Sequence, residues 1–396
     1  MQEKCFVIFL YDFFITILLS IILIPLLAYL YKTDKLCFFK HYAVFYKVEK
    51  ENVNLFHCVS VGEANAVLNL AVMFKEKFII STTCRETFEY INKRDNNIKC
   101  VMYPVDLSFF VKRFLKVNCV KRIFISEVDY WPNLFFQAKK LYIPIYIVNA
   151  RMSQNTYRFF NIFGSFCKNM FSDLKSVYVQ NKDEIKNFKK FISINKIKYY
   201  GNLKFENNYL NCKKLISEKI IIGGSTHWPE EKFLIDYCQE KKLKLILAPR
   251  NFNNNNKIID YIKSKNLNFS FYSKEKLNNN IILIDVFGIL QDIYRECTVA
   301  YIGGGFKKTG VHNFIEALKT GIPVVIGPNT KNFKNEYEEL KKTQAVKKIK
   351  EMNFIGKGFD EILDLSINSN LNNKLAFFFE KHSKISYKIA MDIINE

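Results

Sequence analysis

Short apolar runs alternate along the chain with longer segments whose apolar positions recur at helical spacing. In the first half this pattern predicts strands at residues 54–59, 78–81, 122–126, 143–148 and 176–180. It predicts a helix over residues 63–77 and another from near Pro132, because proline suits the first position of a helix. Strands that alternate with helices are typical of a parallel sheet covered by helices.

The same pattern restarts in the second half of the chain. Further strands are predicted at residues 219–222, 243–248, 281–284, 299–302 and 323–326. The simplest account is two successive α/β units with a seam near residues 201–216, and the polar stretch 251–256 is a loop that leads into a helix. Open α/β sheets bind ligands in the crevice at the carboxyl ends of their strands. Two such units therefore predict a cleft between them, lined by the residues that come directly after the strands.

The N-terminal segment predicts a membrane helix. Residues 5–31 are almost wholly apolar apart from Asp12 and Pro25, and about 20 apolar residues suffice to span a bilayer. Four lysines between residues 32 and 47 place the rest of the chain in the cytoplasm by the positive-inside rule. A signal peptide fits less well, since no small-residue cleavage site comes after the apolar run. Asp12 is costly in lipid, which leaves a monotopic helix open, and a buried core helix is a further alternative.

Composition adds information on charge. Of the 396 residues, 49% are hydrophobic and 24% charged, which fits folded domains with sizeable cores, and the formal net charge is +21. A basic chain suggests an anionic partner such as an anionic lipid surface or a phosphorylated substrate, although a bias towards Lys and Asn codons explains the excess equally well. No compact Arg-rich motif supports nucleic acid.

The ten cysteines are scattered, and no two form a C-x-x-C pair. A zinc site therefore has no ligand spacing to rest on. Such scatter is typical of a reducing compartment and of mostly buried thiols.

The first candidate motif is Ser60-Val61-Gly62-Glu63, between a predicted strand and helix. Gly62 permits a tight strand-to-helix turn. Glu63 then lies in the first helical turn, where a carboxylate could take the proton of an acceptor hydroxyl. By spacing alone, an acidic residue favoured by the helix dipole is the better interpretation.

The second motif contains Glu127 and Asp129, which leave the next strand together just before Tyr130-Trp131-Pro132. The two carboxylates could orient a substrate or position a cationic partner. By themselves they are better interpreted as loop carboxylates with Trp131 packed below them.

The second half contains strand ends suited to anions. Gly223-Gly224-Ser225-Thr226-His227 comes directly after a strand, and its small residues form a backbone nest for an anion. Arg250 comes after the next strand and carries a guanidinium suited to phosphate, although a lone arginine there is usually a surface residue.

A glycine loop, Gly303-Gly304-Gly305, runs towards a predicted helix start at residues 309–316. A helix N-terminus accepts phosphate, and Glu316 could accept hydrogen bonds from ribose hydroxyls. Asn313 and Glu316 also have the spacing of a capping box, and both interpretations can hold together. The loop is neither a dinucleotide fingerprint nor a Walker motif.

Together these stretches resemble the 3-deoxy-D-manno-octulosonic acid (Kdo) transferases of lipopolysaccharide synthesis. The matching pieces are in the family's order: HCVSVGE (57–63), STT (81–83), YPVDL (103–107), EVDYWPNL (127–134), NARMS (149–153), GNLKF (201–205), GGSTH (223–227), APR (248–250), GGGF (303–306), GVHNFIEAL (310–318) and GIPVVIGPNTKNF (321–333). No single piece is decisive, but the ordered set is specific.

The resemblance implies a GT-B glycosyltransferase, with two Rossmann-like domains, an interdomain cleft and an N-terminal membrane helix. The expected divisions are an anchor at 1–32, an acceptor domain at 33–205 and a CMP-Kdo-binding domain at 206–396, with the last helix packing back on the acceptor domain as an open alternative. It further implies transfer of Kdo from CMP-Kdo to a lipid A precursor, with inversion and without a bound metal, at the cytoplasmic side of the inner membrane.

The resemblance also implies roles for individual residues. Glu63 is expected to be the general base, and Glu127 and Asp129 to act on the acceptor side. Lys204 is expected to meet the donor's phosphate or carboxylate. The full expected substrate-binding set is Ser60, Gly62, Lys204, Ser225, Thr226, His227, Arg250, Gly304, Gly305, Gly310, His312, Asn313 and Glu316.

The chain departs from the family pattern in places. Asp129 replaces a glutamate and so reaches less far. Val311 stands where the family has a glycine, so the loop is expected to differ there. Two alternatives stay open: a related two-domain transferase that uses another nucleotide sugar, and a non-catalytic membrane protein that binds anionic lipid or nucleic acid.

Overall fold

The computed structural model describes residues 11–17, 51–94, 97–127, 130–206, 219–251, 255–275, 279–286, 288–368 and 371–396. The chain divides into two units, Met1–Glu206 with Lys384–Glu396, and Asn207–Ser383. Each unit contains its own seven-stranded sheet, in which neighbouring strands run parallel.

The sheet of the first unit has the order β3-β2-β1-β4-β5-β6-β7. Its strands are β1 (Val53–His57), β2 (Phe78–Thr82), β3 (Lys99–Met102), β4 (Val120–Ser126), β5 (Ile145–Ala150), β6 (Ser176–Val179) and β7 (Ile197–Tyr199). Helix α1 (11–17) precedes β1, and the helices between the strands are α2 (Val61–Met73), α3 (Arg85–Arg94), α4 (Ser108–Val117), α5 (Pro132–Lys140), α6 (Gln154–Ile162), α7 (Gly164–Met170) and α8 (Glu184–Phe188). Short 3-10 turns lie at Ile194–Lys196 and Leu203–Phe205.

The central strands of this sheet are buried on both faces, which is why their sequences are almost continuously apolar. In β1, Val53 and Leu55 pack into the hydrophobic layer on one face and Phe56 packs into the layer on the other. Successive side chains of a strand point to opposite faces, so one short strand serves two layers of helices. Polar residues are left for the strand ends, where the candidate motifs begin.

The sheet of the second unit has the order β10-β11-β9-β8-β12-β13-β14. Its strands are β8 (Ile220–Thr226), β9 (Lys244–Pro249), β10 (Ser270–Phe271), β11 (Ile281–Leu283), β12 (Val299–Ile302), β13 (Val324–Ile326) and β14 (Val346–Lys348). Its helices are α9 (Glu230–Lys241), α10 (Asn255–Ser264), α11 (Tyr272–Glu275), α12 (Leu290–Tyr294), α13 (Ile315–Lys319), α14 (Lys334–Leu340), α15 (Ile355–Asn368) and α16 (Leu371–Lys381). Its 3-10 turns are Lys331–Phe333, Lys341–Thr343 and Met352–Phe354.

The last helix, α17 (Ile385–Ile394), belongs to the first unit. Its apolar side chains join the same hydrophobic layer as those of α2. Asp392 accepts hydrogen bonds from the Tyr178 hydroxyl and the Lys198 ammonium, both at 2.7 Å. Apolar packing and polar contacts therefore both attach α17 to the sheet.

The predicted parallel α/β architecture is confirmed, and every predicted strand overlaps an observed one. The sequence pattern missed β3, β7, β10 and β14, which are the edge strands of the two sheets. Edge strands are short and lack a neighbour on one side, so they need no continuous apolar run; β14 contains two lysines. The expectation of mostly buried thiols is also confirmed, since five of the seven described cysteines are buried.

The predicted membrane anchor, residues 1–32, is described only at residues 11–17. Within the described parts of the chain, no helix has both the length and the apolarity needed to cross a membrane. The Tyr11 hydroxyl donates to Asp106 at 3.0 Å, and the Asp12 carboxylate accepts from the Asn133 side-chain amide at 2.8 Å. Asp12, which is costly in lipid, thus has a polar partner on the first unit, while Phe14 is 65% exposed.

Candidate active-site residues

Glu63 lies in the first turn of α2, as predicted, and bonds with the side chain of the N-cap residue Ser60. The Ser60 backbone is extended, and its Oγ accepts a hydrogen bond from the Glu63 backbone N–H at 3.2 Å. The same hydroxyl donates to Glu63 Oε1 at 2.9 Å, while the Val59 backbone N–H donates to Oε2 at 3.0 Å. Spacing alone suggested a helix-terminal acid, and Glu63 is one.

The environment of Glu63 also fits proton transfer. Burial, followed by the negative charge of Glu127, raises the pKa of Glu63 to about 7. The donors from Val59 and Ser60 and the charge of Lys204 act in the opposite direction. A general base works best when its pKa lies near the working pH. Glu63 is therefore a carboxyl that can both take up and release a proton at neutral pH.

Glu127 comes directly after β4 and is buried, with a left-handed backbone (φ 57°). It accepts a hydrogen bond from Arg151 Nε at 2.6 Å and lies 2.5 Å from Lys204 Nζ. Burial alone would raise its pKa, but the two cations outweigh that effect and hold the pKa of Glu127 below its ordinary value. Glu127 is therefore a negative charge at neutral pH, not a proton donor.

Lys204 and Arg151 are both positioned through β5, the neighbour of β4 in the sheet. Lys204 lies in the 3-10 turn Leu203–Phe205, whose first N–H is bound by Asn149 Oδ1 at 3.0 Å. Arg151 comes directly after β5. From the sequence, Lys204 was predicted to meet the donor substrate, whereas in the structure it pairs with Glu127. No role was predicted for Arg151, although the stretch NARMS contains it.

The conformational role predicted for Gly62 was wrong, while its place in the expected substrate-binding set stays a prediction. Gly62 is the second residue of α2 and is not among the glycines with positive φ, so the strand-to-helix turn does not depend on it. A Cβ placed there meets nothing closer than Ser60 Oγ at 4.0 Å. The glycine instead leaves open space beside the N-terminus of α2.

Asp129, the third predicted catalytic residue, lies outside the described residues. Its neighbours are in place. Pro132 is the first residue of α5, as predicted, and Trp131 donates its indole N–H to the buried His57 Nε2 at 3.1 Å. The Trp131 ring packs against the hydrophobic layer of the first unit, as predicted, and its position relative to Asp129 lies outside the described residues.

In the second unit, the side chain of Glu230, the first residue of α9, accepts hydrogen bonds from the loop after β8 and from the end of β12. Ser225 has a left-handed backbone (φ 51°), and the His227 N–H donates to Glu230 at 2.8 Å. The buried Glu230 carboxylate also accepts from the Tyr301 hydroxyl and from the Gly304 N–H, both at 3.0 Å. Burial raises the pKa of Glu230 to about 7 in spite of these donors. The sequence motifs did not reveal this residue; its one signal was the position of Glu230 three residues after His227.

The glycine loop lies directly against the end of β8. A Cβ on Gly303 would lie 2.4 Å from the Ser225 carbonyl oxygen, and one on Gly305 would lie 2.5 Å from the backbone of Gly327. Gly304 and Gly310 have positive φ values of 87° and 84°. The positive angle thus falls on Gly310, and Val311 is accommodated as a buried residue beside it.

The two predicted histidines form a pair. His227 Nε2 and His312 Nε2 lie 2.8 Å apart, and their rings are stacked. Burial and then the charge of Arg250 lower the pKa of His312 to about 4; burial, Lys307 and Arg250 also lower the pKa of His227. Both rings are neutral at pH 7, so one donates to the other. The positive charge here comes from Arg250 and Lys307.

The predicted capping box at α13 has a different geometry. The N-cap of α13 is Phe314, and its side chain makes no capping hydrogen bond. Asn313 Oδ1 accepts from the Ile315 N–H at 3.1 Å, and its amide donates to Glu316 Oε1 at 2.8 Å. Asn313 therefore satisfies the first backbone N–H of α13 and holds Glu316 in place, as the predicted pairing of the two residues requires, although it precedes the N-cap by one residue.

Comparison with known proteins identifies relatives of this chain by sequence. The sequence profile of the 3-deoxy-D-manno-octulosonic-acid transferase (kdotransferase) family matches residues 36–207. A 3-deoxy-D-manno-octulosonic acid transferase of Aquifex aeolicus is 30% identical over 298 residues, which are 73% of this chain and 80% of that protein. A bifunctional glycosyltransferase/methyltransferase of Fusobacterium nucleatum is 26% identical over 359 residues, 84% of this chain but only 56% of that protein.

The fold also resembles solved structures. UDP-GlcNAc 2-epimerase from Neisseria meningitidis, bound to UDP-GlcNAc, aligns with a TM-score of 0.60 at 13% identity, over 87% of this chain and all of that one. At that identity the likeness supports the fold alone. It agrees with two parallel-sheet α/β units of the kind found in GT-B glycosyltransferases.

Proposed function

Because this chain belongs to the 3-deoxy-D-manno-octulosonic acid (Kdo) transferase family, we propose that it moves Kdo from CMP-Kdo to a lipid A precursor with Glu63 as the general base. The assignment of the base rests on one observation: the pKa of the Glu63 carboxyl, at the N-terminus of α2, is raised to about 7. Family membership supports Kdo transfer, while the acceptor and the base are our proposal.

In the proposed reaction, Glu63 takes the proton of an acceptor hydroxyl as the oxygen attacks the anomeric carbon of Kdo. The bond from that carbon to the phosphate oxygen breaks, and CMP leaves with the bonding electrons. Attack from the face opposite the leaving group inverts the anomeric configuration. A base with a pKa near 7 is ionised often enough to accept the proton and strong enough to hold it.

Glu127 has a supporting part in this proposal. Its negative charge raises the proton affinity of Glu63, while Arg151 and Lys204 keep Glu127 ionised. The positive charge of Lys204 pairs with Glu127 and also lowers the pKa of Glu63. It therefore limits how much Glu127 can raise that pKa. We propose that Asp129 acts on the acceptor side, as the family resemblance implies.

The donor site is proposed in the second unit. Ser225, Thr226 and the glycine loop present small side chains and backbone N–H groups, which suit phosphate. Arg250 and Lys307 supply positive charge beside the His227–His312 pair. These cations can neutralise the departing phosphate of CMP, so the proposal requires no resident metal. Asn313 and Glu316 are proposed to meet the nucleotide or the sugar.

We propose that residues 1–32 attach the protein to the cytoplasmic face of the inner membrane, where a lipid acceptor would be presented. The apolar run and the lysines after it support this. Flotation of the full chain with vesicles that contain phosphatidylglycerol tests the proposal. Insertion predicts binding that survives high salt, and complete release by salt would contradict an inserted helix.

The function is tested by incubating the purified protein with CMP-Kdo and a tetraacyl lipid A precursor. The masses of the lipid products are then measured by mass spectrometry. Addition of Kdo is expected. Glu63→Gln should fold and bind CMP but lose at least about 100-fold in turnover, the usual contribution of a general base. Near-normal turnover of this variant would exclude Glu63 as the base.

Two other functions remain as outcomes of the same experiments. Transfer of a different sugar from another nucleotide would identify a related two-domain transferase. Steeply salt-dependent binding to DNA or anionic lipid, without a response to any nucleotide, would favour a non-catalytic binding protein.

A further inference from the structure

The side chain of Thr87 is buried in the third position of α3. Its hydroxyl donates a hydrogen bond to the carbonyl oxygen of Val59 at 3.0 Å, across 28 residues of sequence. Thr82, at the end of β2, directs its hydroxyl to the same oxygen at 3.4 Å. Hydroxyl groups from two elements thus converge on the carbonyl of one residue.

Val59 is the last residue before the N-cap of α2 and comes two residues after the end of β1. On its other side, its backbone N–H donates to Glu63 Oε2 at 3.0 Å. Just upstream, the Cys58 N–H is held by the Ser81 carbonyl at 2.9 Å, so the chain enters this turn from a fixed position. The carbonyl of Val59 is therefore a third anchored backbone group in this turn, after the Cys58 and Val59 N–H groups.

We propose that Thr87 is a positioning residue: by fixing the Val59 carbonyl, it keeps the Val59 N–H directed at the Glu63 carboxylate. The functional meaning of this arrangement rests on the proposed role of Glu63 as the base. The Thr87 hydroxyl bonds to Val59 and not to Glu63, whose carboxylate accepts from Val59 and Ser60. Its effect passes through one residue of backbone.

The physical consequence comes from the charge state that the Val59 N–H favours. A hydrogen bond to a carboxylate stabilises the ionised form, so weakening it raises the pKa of Glu63 above about 7. The other groups that face Glu63 are the Ser60 hydroxyl, Glu127 and Lys204, which come from the N-cap, the end of β4 and the 3-10 turn. Thr87 bonds to none of these groups, so their influence on the pKa of Glu63 should stay the same when Thr87 is changed.

Two variants separate the hydroxyl from the shape of the side chain. Thr87→Val keeps the volume and removes the donor, whereas Thr87→Ser keeps the donor and removes a methyl group. In protein labelled with 13C at the glutamate carboxyls, the Glu63 signal can be assigned by its loss in Glu63→Gln and then titrated. We expect Thr87→Val to raise the titration midpoint by about one pH unit and Thr87→Ser to leave it close to the wild-type value.

The rate should change with the same shift. With the midpoint raised by one unit from about 7, Thr87→Val should lose about fivefold in kcat at pH 7 and recover most of it at pH 9, with KM for CMP-Kdo unchanged. Melting curves for both variants check that each one is folded. A purely structural role would lower the melting temperature without moving the midpoint.

The outcomes are distinguishable. An unchanged midpoint in folded Thr87→Val overturns the proposal, and so does an equal shift in Thr87→Ser, because the hydroxyl would not be its cause. If the midpoint rises but the pH–rate profile does not move with it, Thr87 does position Glu63, and the assignment of Glu63 as the base fails instead.

Discussion

At the scale of single residues, Glu63 combines a structural and a chemical position. It bonds with the N-cap residue Ser60 at the start of α2, and it shares a charged cluster with Glu127 and Lys204. A helix N-terminus stabilises a carboxylate, whereas burial and a second carboxylate destabilise it. In Glu63 the second influence wins, which gives a carboxyl that titrates near neutral pH.

This balance predicts a cost in stability at Glu63. Because its pKa is raised from 4.5 in the unfolded chain to about 7 in the fold, the folded state loses stability as the pH rises from about 4.5 to 7. Glu63→Gln keeps the size of the side chain and removes the charge, so it should be more stable than the wild type at pH 8, by at most about 3 kcal/mol. At pH 5 the two should melt alike. A less stable variant at pH 8 would contradict this balance.

Gly62 gives a second prediction at this scale. Alanine in the first turn of a helix is favoured over glycine by about 0.5–1 kcal/mol, and the added Cβ meets only Ser60 Oγ at 4.0 Å. Gly62→Ala should therefore raise the melting temperature. If the acceptor approaches Glu63 across this space, turnover should fall in the same variant. Wild-type kcat and KM would show that the space is not used.

At the scale of elements, the candidate residues lie where strands end. Glu127, Arg151 and Arg250 come directly after β4, β5 and β9, and the glycine loop comes after β12. Within one sheet, the carboxyl ends of parallel strands bring such residues together, although they are far apart in sequence. In the first unit, the 3-10 turn Leu203–Phe205 adds Lys204 to the residues that come after β4 and β5.

The attachment of α17 gives the prediction for this scale. Asp392 accepts hydrogen bonds from Tyr178 and Lys198, and these donors hold the pKa of its carboxyl below the ordinary value. Asp392→Ala should reduce the free energy of unfolding by about 1–3 kcal/mol, as measured by urea denaturation. Asp364→Ala, at an exposed position on α15, is the matched control and should change it by less than about 0.5 kcal/mol. Equal effects in the two variants would mean that the polar contacts of α17 contribute little.

At the scale of the whole molecule, the net charge of +21 gains a more specific meaning. Within each unit, cations lie beside the candidate residues: Arg151 and Lys204 in the first, Arg250 and Lys307 in the second. A nucleotide-linked acidic sugar and a phosphorylated lipid are both anionic, so the charge fits the proposed substrates. Codon bias can still explain the lysines on the rest of the surface.

The choice of nucleotide is a prediction for the whole protein. Any ligand that binds only the folded state stabilises it, by about 2.7 kcal/mol at a concentration 100 times its Kd. CMP should raise the melting temperature, and UDP and GDP at the same concentration should raise it less. Arg250→Ala should reduce the shift with CMP while the melting temperature without nucleotide stays close to that of the wild type. A larger shift with UDP or GDP would favour the alternative donor.

The sequence by itself determined the architecture and the family. Apolar runs located the central strands because residues buried on both faces must be apolar, and the order of the motifs identified the relatives. It also placed Glu63 in the first turn of α2. It missed the edge strands β3, β7, β10 and β14, which have no such requirement.

Only the tertiary structure decided the electrostatics and the supporting contacts. The pairing of Glu127 with Arg151 and Lys204, the stacked His227–His312 pair and the contact from Thr87 to Val59 all join residues that are distant in the sequence. The pKa of a carboxyl depends on burial and on charges a few ångströms away, and neither can be read from spacing along the chain. The sequence therefore supplied Glu63 as a candidate, and the fold around it gave that carboxyl a pKa near neutrality.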